Sequence, residues 1–240
     1  MMHVVDISLT TPEQNLACDE ALLDMCEEGF DGEIVRFWEA REHFVVLGYS
    51  SNAANEINLE ACRTHRIPVL RRYSGGGTVL QGPGCLSYSL LMKTTPSGPL
   101  STITGTTSLI MSRHAAALQQ LLPEKISVQG YSDLTIRGMK FSGNSQRRKL
   151  RFLLFHGTFL LDFDIQLVDP VLRMPPRQPA YRAQRANVNF LTNLHLSAKT
   201  VKDVLCSSWH ASTPLPNFPE AATRHLSERR YASVSWTFRH

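Results

Sequence analysis

Residues 71–84 read RRYSGGGTVLQGPG and contain five of the chain's 14 glycines. Three consecutive glycines remove every Cβ at that point, so the backbone can adopt positive φ and approach a ligand closely. Successive amide groups can then form a concave anion site. Arg71 and Arg72 add charge that suits a phosphate or a carboxylate. The stretch predicts a strand that ends in an anion-binding loop, and the structural alternative is a glycine-rich hairpin with solvated arginines.

Two common nucleotide-binding motifs are absent from this stretch. No Gly-Lys-Ser/Thr follows the glycines, as a Walker loop requires, and no G-x-G-x-x-G opens a helix. Any anion site here therefore belongs to another class of loop.

Length and composition exclude several classes of protein. The chain has 240 residues, 42% of them hydrophobic, which predicts one globular domain over residues 1–240. Its net charge of +4 fits an anionic ligand or an acidic partner better than a nucleic acid. Five widely spaced cysteines without a C-x-x-C pair argue against a disulfide framework or a zinc site. No signal peptide and no apolar run of about 18 residues occur, so we expect a cytoplasmic protein without a membrane partner.

The order of predicted elements favours an α+β fold over a doubly wound parallel sheet. A capping box at Thr11 begins a helix that Gly29 ends. Helices are also predicted around 55–65, over 104–122 and after Ser197, the last of them the final helix. The remaining predictions are paired strands at 33–40 and 43–48, a strand at 67–74, a strand at 85–92 with one buried face, strand–turn–strand units in 132–146 and 148–164, an ordered loop over 167–190 and a final strand in 228–240.

Two further polar segments carry candidate chemistry. Lys140 stands beside Ser142-Gly143-Asn144-Ser145, which we interpret as a turn of small residues. His156-Gly157-Thr158 interrupts an otherwise apolar strand. The structural alternatives are an edge-strand lysine that keeps the sheet soluble and a histidine that serves only packing.

Taken together, these segments resemble a known family. RRYSGGGTVLQGPGCLSYSL, SDLTIRGMKFSGNSQ and HGTFLL resemble motifs of the lipoate-protein ligase A and octanoyltransferase family, within the biotin and lipoate ligase group. LACDEALL and VLGYSSNAANEIN resemble the opening of its catalytic domain, and RRYASVSWTF resembles its end. The resemblance implies one α+β catalytic domain, with a mixed, largely antiparallel sheet flanked by helices and no separate C-terminal accessory domain.

The resemblance also implies a function. Family members attach lipoyl or octanoyl groups to one lysine of a lipoyl-acceptor domain or a glycine-cleavage H-type protein. Ligases use ATP with Mg²⁺ to make an acyl-adenylate from lipoate or octanoate. Octanoyltransferases take the acyl chain from a carrier protein, most often through a cysteine thioester.

By resemblance, Lys140 is the catalytic lysine, which contacts the acyl carbonyl and the phosphate ester, and Asp133 lies near the nucleotide. No metal ligand is assigned. The expected binding residues come from the glycine stretch and from the later segments: Arg71, Arg72, Ser74, Gly75, Gly76, Gly77, Thr78, Gln81, Gly82, Asp133, Ser142, Gly143, His156, Gly157 and Thr158. Val79, Leu80 and Tyr88 are candidates for an apolar lining.

Two departures from the family pattern bear on the function: the first puts an acid–base role in doubt, and the second separates the family's branches. Gln81 stands where the family usually has histidine, and glutamine carries no proton at neutral pH. No cysteine lies between Cys85 and Cys206, the interval in which cysteine-dependent transferases keep their nucleophile. The sequence therefore favours an ATP-dependent lipoate-protein ligase, with an accessory subunit as a possible partner.

Other functions stay open at this point. One is ATP-independent octanoyl or lipoyl transfer between carrier proteins, and another is a non-catalytic acyl-binding module. Biotin ligase is more distant, because its GRGR-type motif is absent. The basic stretch 147–151 is either a solvated hairpin tip or a contact for an acidic acceptor domain.

Overall fold

Two β-sheets organise the chain. The structure, a computed structural model, describes residues 2–175 and 177–239. Its strands in chain order are β1 (Met2–Asp6), β2 (Glu33–Glu39), β3 (Phe44–Leu47), β4 (Val69–Arg71), β5 (Val79–Gln81), β6 (Cys85–Lys93), β7 (Ile126–Gln129), β8 (Asp133–Ile136), β9 (Met139–Arg148), β10 (Phe152–Leu160) and β11 (Ala211–Pro214).

The large sheet has eight strands in the order β11-β1-β2-β6-β10-β9-β8-β7, and the small sheet has the order β4-β3-β5. In the large sheet β1 pairs in parallel with β2 and β11, while every other pair is antiparallel. The small sheet has one parallel and one antiparallel pair. This mixed, largely antiparallel architecture confirms the predicted α+β class.

Helices cover both faces of the large sheet. Others pack around the small sheet. In chain order the helices of the described residues are α1 (Pro12–Glu28), α2 (Ala53–Glu56), α3 (Leu59–Thr64), α4 (Ile103–Gln119), α5 (Val168–Val171), α6 (Asn187–Phe190), α7 (Ala198–Ser208), α8 (Glu220–Leu226) and α9 (Val234–Thr237). The predicted starts are confirmed: Thr11 and Gln14 form a capping box at α1, and Ser197 caps α7. Gly29 ends α1 with φ of 133°, a conformation that L side chains rarely adopt. Within the described residues, no helix is long and apolar enough to cross a membrane.

Strand β6 is buried from Cys85 to Met92, on both of its faces. Side chains of α4 and α7 pack on one face of the sheet, and α1 packs on the other. The prediction of a single buried face was therefore wrong, because its serines Ser87 and Ser89 alternate with apolar residues yet also lie inside.

Strands β2 and β3 are not partners, contrary to the predicted hairpin. β2 pairs with β1 and β6, whereas β3 belongs to the small sheet. The turn at Arg41-Glu42 therefore carries the chain from one sheet to the other. Short apolar strands specify burial, but they do not specify which strand pairs with which.

Four segments differ locally from prediction. Residues 142–145 continue β9 rather than form a turn, and 148–164 contain one strand, β10, after a turn at 149–151. The segment 167–190 contains helical turns, including α5 and α6. The predicted terminal strand is instead a π-helical turn, Ser227–Tyr231, followed by α9.

Candidate functional site

A cavity of about 570 Å³ is lined by residues of both sheets, of α1 and of the segment 175–190. Its volume falls in the range typical of small-molecule sites. Four cationic side chains and two carboxylates line it: Arg72, Lys140, Arg177, Arg182, Asp19 and Asp133. Leu16, Trp38, Val46 and Val79 add an apolar wall. The lining therefore suits a ligand with an apolar chain and an anionic group.

Arg72 holds the glycine loop, residues 74–77, by donating hydrogen bonds to the loop's carbonyl groups. Its Nη2 donates to Gly75 O at 2.6 Å and to Gly77 O at 2.9 Å. Ser145, on β9, also donates to Gly75 O, at 2.9 Å. Burial lowers the pKa of Arg72 to about 10, so it stays cationic at neutral pH. Its charge therefore fixes the loop, and its reach toward a ligand is limited.

The amide groups of the same loop are free. Within the described residues, the N–H groups of Gly75, Gly76 and Gly77 donate to no protein acceptor, whereas Thr78 N donates to Glu56 Oε2 at 3.2 Å. Free amides beside bound carbonyls leave the positive ends of the peptide dipoles unpaired. This arrangement fits the predicted anion-binding loop.

Arg71 does not reach the cavity, so its predicted place at a ligand was wrong. It is fully buried, and its guanidinium donates to Gly48 O at 2.7 Å, Ser51 O at 2.9 Å and Thr237 O at 2.9 Å. Neighbouring residues of a strand point to opposite faces, so only one of two adjacent arginines can face the site. Arg71 instead joins the strand to α9.

Lys140 lines the cavity and pairs with a carboxylate that a tyrosine also binds. Its Nζ lies 2.8 Å from Asp133 Oδ1, and Tyr181 donates its hydroxyl to Asp133 Oδ2 at 2.6 Å. Burial and the Asp133 charge raise the pKa of Tyr181, so its proton stays in place. Gly143 gives Lys140 room, since a Cβ there would lie 2.7 Å from Nζ. The structure brings together Lys140 and Asp133, which were predicted separately as site residues, whereas Tyr181 was not predicted.

His156 connects the glycine loop to α1. Its Nε2 lies 2.5 Å from Ser74 Oγ, and its Nδ1 lies 3.6 Å from Asp19 Oδ2. Asp19 Oδ1 in turn accepts from Arg36 Nη1 at 2.6 Å. Burial raises the pKa of Asp19, but Arg36 and His156 outweigh it, so that the net shift is downward and the group stays ionised.

Sequence reasoning missed Asp19 and Arg36. The available signal was the run LACDEALL, in which two adjacent acidic residues, Asp19 and Glu20, interrupt a sequence that is otherwise apolar. A buried charge needs a partner, but the sequence does not say which cation supplies it.

Asn144 is a further cavity residue that the sequence did not single out. Its Oδ1 accepts from the hydroxyl of Tyr88 at 2.6 Å, and its Nδ2 donates to Ser132 O at 2.6 Å. Gly157 lies directly opposite Asn144 across the β9–β10 pair, and a Cβ there would lie 1.8 Å from Asn144 Oδ1. The glycine of the HGT triplet therefore makes space for the amide.

The remaining predicted residues divide into two groups. Besides those described above, the cavity lining includes Gly76, Gly77, Thr78, Gln81, Gly157 and Thr158. Ser74, Gly75, Gly82 and Ser142 lie outside the lining, as does Leu80, whereas Val79 and Tyr88 are part of it. Gln81 Oε1 is buried and has no partner among the described residues.

No thiol lines the cavity in the part of the chain that the structure describes. Cys85, the cysteine nearest to the glycine stretch in sequence, is buried, and that burial raises its pKa to about 12. Burial likewise raises the pKa of Cys18 to about 11. Both thiols are therefore protonated at neutral pH, which agrees with packing roles.

The basic stretch 147–151 is mostly engaged with the rest of the protein. Arg147 lies over the Tyr73 ring at 4.4 Å, and Arg148 donates to Leu100 O at 2.7 Å. Lys149 pairs with Asp24, and Arg151 donates to Glu27. The stretch 147–151 is therefore neither a purely solvated hairpin tip nor a free docking surface.

Comparisons with known proteins identify the family of the chain. The family model described as the lipoyl protein ligase A/B catalytic domain matches residues 11–209. Octanoyltransferase LipM of Geobacillus kaustophilus is 25% identical over 98% of this chain and 97% of the relative.

Two solved structures share the fold. One is described as a bi-partite lipoate protein ligase and its E2 lipoyl domain from Thermoplasma acidophilum. It has a TM-score of 0.82 at 22% identity, over 99% of this chain and 97% of that one. A lipoate-protein ligase A bound with ATP has a TM-score of 0.80 at 21% identity, with the same coverage. With a family match over most of its length, the chain belongs to the lipoyl protein ligase A/B catalytic domain family.

Proposed function

We propose that this protein activates lipoate or octanoate with ATP as an acyl-adenylate and transfers the acyl group to a lysine of a lipoyl-acceptor domain. The observation that carries the proposal is the cavity lining, which combines Lys140 and free glycine amides but, among the described residues, no thiol. An acyl-adenylate needs fixed positive charge and backbone donors around its phosphate, and both are present.

The residues of the cavity divide the task. The apolar wall holds the acyl chain, and the free amides of the glycine loop donate hydrogen bonds to the phosphate. Lys140, a compact point charge, contacts the acyl carbonyl and the phosphate ester, while Asp133 holds its ammonium group. Arg72 keeps the loop in place through Gly75 O and Gly77 O.

Magnesium was expected together with ATP. Among the described residues, no group of three or more His, Cys, Asp or Glu could hold a metal ion. Both oxygens of Asp133 already have partners, Lys140 and Tyr181. These described residues do not form a magnesium site of their own.

Pyrophosphate release tests the proposal directly. Purified protein is given ATP and Mg²⁺ with lipoate, octanoate or biotin, and Lys140→Ala serves as the control. Release that depends on lipoate or octanoate and disappears in the control is the expected result. Release with none of the acids contradicts a self-sufficient ligase.

Carrier-dependent transfer is the second candidate, because the octanoyltransferase relative is matched over nearly its whole length. The test is transfer of octanoyl from a carrier-protein thioester to a lipoyl domain or an H-type protein without ATP. Adenylation with an accessory subunit is the third candidate, since the Thermoplasma neighbour is a bi-partite lipoate protein ligase. Adenylation that appears only after a second protein is added would indicate this arrangement.

A further inference from the structure

Three residues from distant parts of the chain form an ordered series beside the cavity. Ser74 Oγ lies 2.5 Å from one nitrogen of His156, and Asp19 lies 3.6 Å from the other nitrogen. A hydroxyl, an imidazole and a carboxylate in this order form the arrangement that activates serine for attack on an acyl group. The longer distance is common in proteins without bound substrate.

The surroundings of the series fit the same chemistry. Asp19 is held ionised by Arg36, so it can stabilise a protonated His156. Arg72 Nε donates to Ser74 Oγ at 3.2 Å, which favours the developing alkoxide. The residue after Ser74 is Gly75, whose amide is free among the described residues, and Lys140 lines the same cavity. These groups are suitable donors to an oxyanion.

Ser74 itself is fully buried, but its neighbours reach the cavity. Gly76, Gly77, Ser145 and His156 all belong to the lining. A Cβ added at Gly75 or at Gly77 would meet no described atom within 4 Å. The loop therefore has free space beside it at the residues that follow Ser74. Attack on an acyl carbon requires Ser74 Oγ to turn toward that space.

Resting on the proposed function, we infer that Ser74 carries the acyl group as an ester between the donor and the acceptor lysine. Ser74 Oγ attacks the acyl carbon, His156 Nε2 takes the hydroxyl proton, and the phosphate or thiolate of the donor leaves. The amine of the acceptor lysine then attacks the ester and forms the amide. His156 returns its proton to Ser74 Oγ, and the amine's surplus proton passes to solvent.

The test is to trap the ester in the full chain without an acceptor. The donors are octanoate with ATP and Mg²⁺ in one arm, and octanoyl-pantetheine in the other. Intact mass and peptide fragmentation should show one octanoyl group on Ser74. The ester should survive neutral hydroxylamine, and it should disappear when a lipoyl domain is added.

Variants identify the atom that is acylated. Ser74→Ala should form no adduct and lose transfer by on the order of 1000-fold. Ser74→Cys should form an adduct that hydroxylamine removes. His156→Asn should slow adduct formation by roughly 100-fold or more. Ser145→Ala removes a cavity serine without a histidine partner, and the adduct should stay on Ser74.

Different outcomes bear on the inference and on the proposed function. Wild-type transfer without an adduct at single turnover overturns the inference and leaves the proposed function standing. Two results with Ser74→Ala also overturn the inference. One is acyl transfer within tenfold of wild type. The other is a loss of acyl transfer in the variant when no ester forms on the wild-type protein. If the wild type transfers from neither donor, the proposed function and the inference both fail.

Discussion

Two series of linked polar side chains, the first and the second polar chain, meet at the cavity, and their side chains differ in exposure to solvent. Tyr181, Asp133 and Lys140 form the first, in which the lysine and aspartate side chains are 24% and 13% exposed. Ser74, His156, Asp19 and Arg36 form the second, in which Asp19 and Arg36 are 5% and 0% exposed. A partly exposed ion pair can rearrange around a ligand at little cost, whereas a buried pair has one arrangement because any other leaves a charge unpaired. The first chain is suited to contact with a substrate that binds and leaves, and in the second the buried Asp19–Arg36 pair is suited to keeping His156 and Ser74 in place.

Lys140→Ala should have the largest effect on activity. We expect acyl transfer to fall by on the order of 1000-fold, because a charge aimed at the developing oxyanion is lost. The free energy of unfolding should change by only about 1 kcal/mol, since the pair is partly exposed. Single-turnover transfer and urea unfolding measure the two effects. A large loss of stability with modest loss of activity would assign Lys140 to the structure instead.

Asp19→Asn should have the largest effect on stability. It leaves Arg36 buried without a counter-charge, which costs about 3–5 kcal/mol. Asp203→Asn is the matched control, because it breaks the exposed pair with Lys199 and should cost about 0.5 kcal/mol or less. Urea unfolding of both variants measures the difference, and equal costs would contradict the contrast between the chains.

Asp19 also predicts a pH dependence. Its pKa is lowered in the folded protein, so its contribution to stability is present above the unfolded pKa. That contribution is lost as the pH falls through the folded pKa. Unfolding measured from pH 7 downward should therefore show a loss in wild type that is smaller in Asp19→Asn. Parallel curves for the two proteins would contradict this assignment.

Gly157→Ala should have an intermediate effect on stability, because the new Cβ would displace the Asn144 amide from Tyr88. Overpacking of this kind costs about 1–3 kcal/mol. Gly75→Ala is the control for stability alone, since its Cβ would enter open space, and it should change stability by about 0.5 kcal/mol or less. Thermal unfolding of the two variants compares them, and a neutral Gly157→Ala would mean that Asn144 moves freely.

Among these site variants, Tyr181→Phe should have the smallest effect on stability and activity. It removes one hydrogen bond to Asp133, which is worth about 0.5–1.5 kcal/mol. Because Asp133 still pairs with Lys140, we expect kcat to fall by roughly tenfold or less with little change in KM. Steady-state transfer measures both constants. A loss as large as that of Lys140→Ala would show that the tyrosine is needed to hold the pair.

Several features followed from local sequence. The capping box at Thr11 and the cap at Ser197 were predicted correctly, because a helix start depends on a few adjacent residues. The pairing of β2 with β3 and the terminal strand were wrong. Both depend on which distant segments come together, and apolar periodicity does not encode that.

The sequence by itself determined the composition of the site: a glycine loop, a lysine, an HGT triplet and no cysteine between Cys85 and Cys206. Only the tertiary structure decided what these residues contact. It directed Arg71 toward α9 and Arg72 toward the loop, and it set Asp19 behind His156. The physical reason is that residue types carry the chemistry, whereas partners far apart in sequence are chosen by packing and by the need to pair every buried charge.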